Sequence, residues 1–414
     1  MKILHIVAGE LTGGAAKGAY LLHQGLIDLG IKSKILTNST ITLEDKNVIS
    51  VVTNKKSRIK NIIRGQLDSL PVLFYRKRKR IIFSTGLVGF DFTKTKEYKE
   101  ADIIHLHWIN VGFVNMRHLT KIKKPIVWTM RDMWPMTGGC HYSLNCENYK
   151  IGCGRCKQLN SKRNRDLSSW IVKRKKKYLP KSIKFVGISN WLSGEAQKSE
   201  LLENFDIRTI GNNINTKEFS LLDKEIAKKL LGIKTNKKII LVGSRNLKDF
   251  YKGFNKYLEA IKKLDKTKHF LCFFGKLDSK IIENLGFEYK NFGTLYDVTS
   301  LRILYSASNV FIAPSIQEAF GKTLVEAMAC GTPVVCFDAT GPKDIITHKV
   351  DGYKAKPFKG EDLANGIEWV LNNKNYDKLC QNARKKVMEN FDVKIIAEEY
   401  KKLYEKIINE NEQQ

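Results

Sequence analysis

The stretch Pro314-Ser-Ile-Gln-Glu318-Ala-Phe-Gly321-Lys-Thr-Leu-Val-Glu326-Ala-Met-Ala-Cys-Gly331-Thr-Pro333-Val-Val335 decides how the rest of this 414-residue chain is read. Four apolar residues, Val310 to Ala313, lead into it and read as a buried strand. Pro314 and Ser315 end that strand, and Glu318 falls on the loop. From about Gly321 the apolar positions Leu324, Val325 and Met328 fit one face of a helix. Gly331 stops the helix, and Pro333 opens a second buried strand. A strand–loop–helix–strand unit places its loop outside the carboxyl ends of a parallel sheet, where α/β proteins bind ligands. The free N–H groups of the helix start suit a phosphate. The carboxylates of Glu318 and Glu326 suit sugar hydroxyls, because each accepts several charge-assisted hydrogen bonds. A bare pair of Glu residues near a helix start is also an ordinary surface feature.

The same alternation of strand and helix runs through the chain. Residues 2–8 read as a buried strand, followed by the loop Gly9-Glu-Leu-Thr-Gly13-Gly14 and a helix from about Ala15 to Leu29. Gly13 and Gly14 let backbone approach a ligand closely. Strands follow near 33–37, 47–52, 103–108, 125–129 and 184–189. His105 and His107 share one face of their strand; His-x-His is a possible metal pair, but no third ligand lies at a useful spacing, which leaves a strand end. Ile207 to Phe219 is rich in turn formers. A new strand, Lys238 to Val242, then opens the loop Gly243-Ser-Arg245-Asn-Leu-Lys-Asp-Phe-Tyr-Lys252-Gly253, with a helix from Phe254 to Leu264. Residues 361–390 are helical by pattern, and 393–409 form a last amphipathic helix. The predicted class is α/β with two doubly wound domains, residues 1–208 and 209–390, and a terminal segment 391–414.

Charge narrows the partners. Lys and Arg number 72 against 42 Asp and Glu, a net charge of +30. Such a balance calls for an anionic partner: nucleic acid, anionic lipid or a phosphorylated substrate. No nucleic-acid recognition motif is present, so nucleic acid is the weakest of the three. Residues 51–100 hold 13 basic against 4 acidic positions, and the run Arg76 to Arg80 is wholly basic. Residues 59–75 mix apolar and basic positions, which suits a segment lying on an anionic membrane surface; a solvated basic face is the alternative for the whole stretch 55–80. No apolar run approaches the ~18 residues of a membrane span, and Met1 to Ala8 reads as a strand rather than a signal peptide. The expected place is the cytoplasm, on the inner face of the cell membrane.

Four of the eight cysteines, Cys140, Cys146, Cys153 and Cys156, fall in the loop 137–159 with spacing C-x5-C-x6-C-x2-C. The cluster admits a closed structural zinc site, reduced thiols packing a loop, or disulfides. His141 is a candidate substitute ligand. A catalytic metal is not expected from four thiolates, which leave no open position.

Glu318, seven residues, Glu326 and then Ala-Met-Ala-Cys-Gly-Thr-Pro-Val-Val resemble the E-x7-E signature of family 4 retaining glycosyltransferases. The Cys-rich loop resembles a subgroup of that family in capsule, colanic-acid and O-antigen assembly. Two departures stand out: Arg131 occupies the position of the family's His beside the donor sugar, and Lys157 that of a Pro. The resemblance implies the GT-B fold, with two Rossmann-like domains facing across a cleft and the terminal helix crossing back to the first. It implies hexosyl-type transfer from a nucleotide-diphosphate sugar to a lipid-linked or polysaccharide acceptor, without catalytic metal. Glu318 would hold the sugar hydroxyls, Glu326 the ribose, and Arg245 and Lys252 the diphosphate. Gly13, Gly14, Gly293, Ala319, Phe320, Gly321 and Thr323 would complete the donor site. Arg131 would stand with Glu318 at the reacting centre, as a cationic clamp rather than a proton carrier. The other readings are a non-catalytic partner of the same fold, which Arg131 favours, and a nucleic-acid binder, which net charge alone supports.

Overall fold

The computed structural model describes residues 1–41, 43–79 and 81–412. Arg80 of the basic run and Gln413 and Gln414 of the tail lie outside the described residues. The chain divides into two compact units: Met1–Gly211 together with Ile396–Gln414, and Asn212–Ile395.

The first unit is built on β1 (Lys2–Val7), β2 (Lys32–Thr37), β3 (Val48–Ser50), β4 (Ile103–Leu106), β5 (Ile126–Met130), β6 (Lys184–Gly187) and β7 (Asp206–Thr209). All pairings are parallel, in the order β3-β2-β1-β4-β5-β6-β7. The central strands are buried along nearly their whole length, as a parallel sheet covered on both faces requires. β1 shows five buried residues in six. The strand order reverses between β1 and β4, which puts the switch point at the loops after Val7 and Leu106. The terminal helix Val393–Glu412 completes this core. Ile396, Ala397, Tyr400, Leu403, Tyr404 and Ile407 recur at helical spacing and pack with Ile3, Leu22, Leu26, Ile103, Val127 and Val186.

The second unit repeats the plan with β8 (Lys238–Asn246), β9 (His269–Lys276), β10 (Tyr289–Asn291), β11 (Val310–Ala313), β12 (Val334–Phe337) and β13 (Gly352–Ala355). The order is β10-β9-β8-β11-β12-β13, again parallel. Its switch point lies between β8 and β11. Ile240, Val242, Leu271, Phe273, Val310, Ile312, Val335 and Phe337 form the sheet side of one core, with Tyr257, Ile261, Leu363 and Ile367 from the flanking helices.

Three boundaries differ from the sequence reading. The first unit extends to Gly211 rather than 208, and the returning segment joins it from Ile396 rather than 391. Backbone bonds explain both shifts: Ile214 N–H donates to Phe391 O at 2.9 Å and Val393 N–H to Ile214 O at 2.8 Å, tying both crossing strands into the second unit. The helical stretch 361–390 is two helices, Gly360–Leu371 and Tyr376–Asn390. They are separated by Asn372-Asn-Lys-Asn375, whose short amides compete with the helix for backbone groups.

Candidate active site

At the switch point of the second unit, β8 and β11 end side by side. The end of β8 carries Arg245 at a register shift between Gly243 and Asn246, exposed and with no side-chain hydrogen bond or ion pair among the described residues. The chain then makes the short turn Phe250–Lys252. Gly253 follows at φ +67, and a Cβ there would lie 1.8 Å from Pro314 O. Only glycine lets the β8 loop close onto the β11 loop at this point. The two loops are stitched by backbone: Tyr251 O accepts from Ile316 N–H at 2.8 Å and from Gln317 N–H at 3.3 Å. The result brings Lys252 Nζ onto Glu318 Oε2 as a hydrogen-bonded ion pair, each side chain 22% exposed. These residues are 66 positions apart in sequence.

Beyond Glu318, the buried Ala319 and Phe320 lead to Gly321, which opens the helix Lys322–Ala329 with no side-chain cap. Gly293 follows β10 at φ +64, with open space where a Cβ would stand. Its carbonyl accepts from Gly275 N–H at 2.6 Å, which ties it to the end of β9. Glu326 sits elsewhere in depth: it is buried, and its Oε2 accepts from Tyr305 OH at 3.1 Å. Burial, with Glu326 beside it, holds the Tyr305 phenol well above its ordinary range. The carboxylate expected on ribose is therefore held within the second unit's interior by a partner the sequence did not indicate.

The first unit places its candidates differently. Gly13 and Gly14 stand at the start of the helix Gly14–Asp28, with open space around both. Arg131, just after β5, is turned inward. Its Nη2 donates to His107 Nδ1 at 3.3 Å, and the side chain is buried. Burial lowers its pKa. His107 Nε2 in turn lies 2.9 Å from His5 Nδ1, and since Arg131 only donates, the proton between the two rings belongs to His107. His105 bonds Thr129 Oγ1 at 2.7 Å and Tyr404 OH at 2.6 Å. The third imidazole that the sequence did not supply is thus His5, paired with His105 in the β1–β4 register. The three rings come within metal-ligand distance of one another. Five of their six nitrogens are hydrogen-bonded and Arg131 donates into the group, so it is a buried polar network rather than a cation site. Burial, with Arg131 nearby, holds all three pKa values well below 6.5.

A second network lies beside it: Asp132 Oδ2 bonds His141 Nδ1 at 2.6 Å and Trp108 Nε1 at 2.9 Å, and His141 Nε2 lies 2.9 Å from Ser84 Oγ. His141 is therefore engaged away from the cysteines. Cys140, Cys146, Cys153 and Cys156 line one enclosed space of about 10 Å³ and are free thiols. Tetrahedral zinc at ~2.3 Å from each sulfur sets the sulfurs about 3.8 Å apart. Among the described residues no three of these sulfurs gather within 4.8 Å of one another. Burial raises the Cys153 thiol to about 12.

Two doubly wound parallel sheets, the second with a cation–carboxylate pair at its switch point, give the chain the GT-B fold. Residues 223–387, within the second unit, match the family Glycosyl transferases group 1. The chain is similar to an uncharacterised glycosyltransferase of Methanocaldococcus jannaschii, 24% identical over 411 residues and 95% of each chain. It is 29% identical over 210 residues to the N,N'-diacetylbacillosaminyl-diphospho-undecaprenol alpha-1,3-N-acetylgalactosaminyltransferase of Campylobacter jejuni, covering 49% of this chain and 54% of that one. Among solved structures it resembles HepE of Anabaena in complex with UDP-glucose, with a TM-score of 0.64 at 18% identity over 98% of this chain and all of that one.

Proposed function

We propose that the chain transfers a sugar, with retention of configuration, from a nucleotide-diphosphate sugar to a lipid-linked or oligosaccharide acceptor in cell-surface polysaccharide synthesis. The observation that carries this reading is the meeting of Lys252 and Glu318 at the second unit's switch point. Breaking a glycosidic bond to a diphosphate leaves negative charge on the leaving group, and fixed cations stabilise it as it grows. Lys252 and the exposed Arg245 supply positive charge on one side, in the place a metal would otherwise take. Glu318 supplies a carboxylate for the sugar hydroxyls on the other. The Campylobacter relative, whose name specifies a diphospho-undecaprenol acceptor, and the UDP-glucose in the HepE structure support the substrate classes.

The first unit supports a membrane-surface acceptor. Asn54 and Ser57 cap the helix Lys55–Leu73. Asp68 anchors it: the buried carboxylate accepts from Thr85 Oγ1 and Leu87 N–H, both at 2.8 Å. The opposite face exposes Ile59, Ile62, Ile63, Leu67, Leu70 and Leu73, followed by Phe74 at 81% exposure. Exposed Lys55, Lys56, Arg58 and Lys60 flank that face, and Arg76, Lys77 and Lys79 follow it. An apolar face bordered by cations fits the interface of an anionic bilayer. Among the described residues no helix is long and apolar enough to cross a membrane. On this reading the enzyme works as a peripheral protein on the inner face of the cell membrane.

The test of the donor site is Glu318→Ala, expected to abolish transfer with the fold intact; near-normal turnover would remove the assignment. The membrane reading is tested by sedimentation with phosphatidylglycerol vesicles. Wild-type protein should bind in a salt-dependent way, and Ile62→Glu with Leu70→Glu should not. Equal binding by both proteins would refute it.

A further inference from the structure

Lys252 and Glu318, assigned above to opposite ends of the donor, are hydrogen-bonded to each other. Each therefore has two competing partners. We infer, resting on the donor-site reading, that Glu318 makes the site discriminate between the intact sugar donor and the spent nucleoside diphosphate. A diphosphate that takes Lys252 must displace the Glu318 carboxylate. It then leaves that carboxylate without its cation, next to added negative charge. An intact donor offers the carboxylate its sugar hydroxyls in exchange. A free nucleoside diphosphate offers nothing. The same residue thus holds the substrate and opposes the product.

The backbone makes the competition sharp. Glu318 N–H donates to Thr340 Oγ1 at 3.3 Å, and Glu318 O accepts from Gly341 N–H at 2.9 Å. Gly341 packs so closely that a Cβ there would lie 2.4 Å from Ala319 O. On the other side Tyr251 O holds Ile316 and Gln317. The loop is fixed before and after Glu318, so the carboxylate leaves Lys252 by side-chain rotation, not by the loop moving away. It stays within reach of the phosphates and its charge is still felt.

The experiment is calorimetric titration of the full-length protein and Glu318→Gln with UDP, GDP, ADP and pyrophosphate, then with UDP-glucose, GDP-mannose and ADP-glucose. Gln keeps the shape and removes the charge; Glu318→Ala is the second variant. Loss of a partly buried ion pair should tighten the nucleoside diphosphate that binds by roughly two- to fivefold in both variants. The corresponding nucleotide sugar should bind more weakly than to wild type, so the preference inverts. Lys252→Met should lose affinity for both ligands. Nucleoside diphosphate binding that is unchanged or weaker in both Glu318 variants overturns the discrimination while leaving the donor site standing. Failure of wild-type protein to bind any of these ligands overturns the donor-site reading and the inference with it.

Discussion

Gly253→Ala separates the geometry of the site from its chemistry, because it alters no charged group. Alanine at φ +67 enters the left-handed region, which costs about 1–2 kcal/mol. The larger effect is steric. The new Cβ would fall 1.8 Å from Pro314 O, where contacts below 3.0 Å essentially never occur. The obstacle is backbone, so the two loops must part by more than an ångström. That movement breaks the bonds from Ile316 and Gln317 to Tyr251 O and draws Lys252 away from Glu318. A misplacement on the order of 1 Å costs ~100-fold in rate when orientation carries catalysis. The expected result is a fall of about that size in kcat/KM, with the protein still folded by circular dichroism. Gly13→Ala is the control: open space surrounds that position at φ −120, and thermal stability should be unchanged. Gly253→Ala activity within about threefold of wild type would refute the claim that loop contact positions Lys252.

Acid should destabilise the first unit. His5, His105 and His107 are held neutral when folded, so only the unfolded chain takes up their protons as pH falls through 6.5. The unfolded state then binds more protons, and stability falls with pH, by about 1.3 kcal/mol per imidazole between pH 7 and 5.5, roughly 4 for three; denaturant melts of wild type and His107→Gln should differ by about one imidazole's share. Tyr305→Phe leaves Glu326 short of a buried donor and should lower stability by about 1–3 kcal/mol, read by urea midpoint. Asp68→Ala removes the acceptor for Thr85 and Leu87 and should expose the helix Lys55–Leu73 to limited proteolysis before any other segment. Thiol titration in denaturant without reductant should find all eight cysteines free.

The positions of Glu318 and Lys252 were legible because their signals are local. Glu318 lies on a loop marked by Pro314 and Gly321, and Lys252 precedes a glycine that opens a helix, so turn chemistry and periodicity place both before any tertiary contact is known. The buried networks were not legible, because they depend on register between distant strands. His5 meets His105 only through the pairing of β1 with β4, 100 residues apart. One signal was available: a doubly wound order makes those two strands neighbours and sets His5 and His105 on the same face. Arg131 shows the limit of reading by position. Its charge suggested a ligand, whereas its guanidinium bonds His107 in the interior. Glu326 is similar: its spacing from Glu318 is plain in the sequence, but Tyr305 beneath it is contributed by the preceding helix, Val298–Ala307.

The helix Val393–Glu412 gives the chain an unusual order of assembly. Its residues from Ile396 onward complete a core whose other members all precede Gly211. Until that helix leaves the ribosome, His105 lacks Tyr404, Thr129 lacks Tyr400, and Ile3, Leu22 and Val127 lack their cover. The second unit, continuous from Asn212 to Ile395, holds all its strands earlier. The usual sequence in which the amino-terminal domain folds first is thereby reversed. The half made first waits for residues 396–407, and a nascent chain carries an open apolar sheet face for as long as the second unit takes to be made.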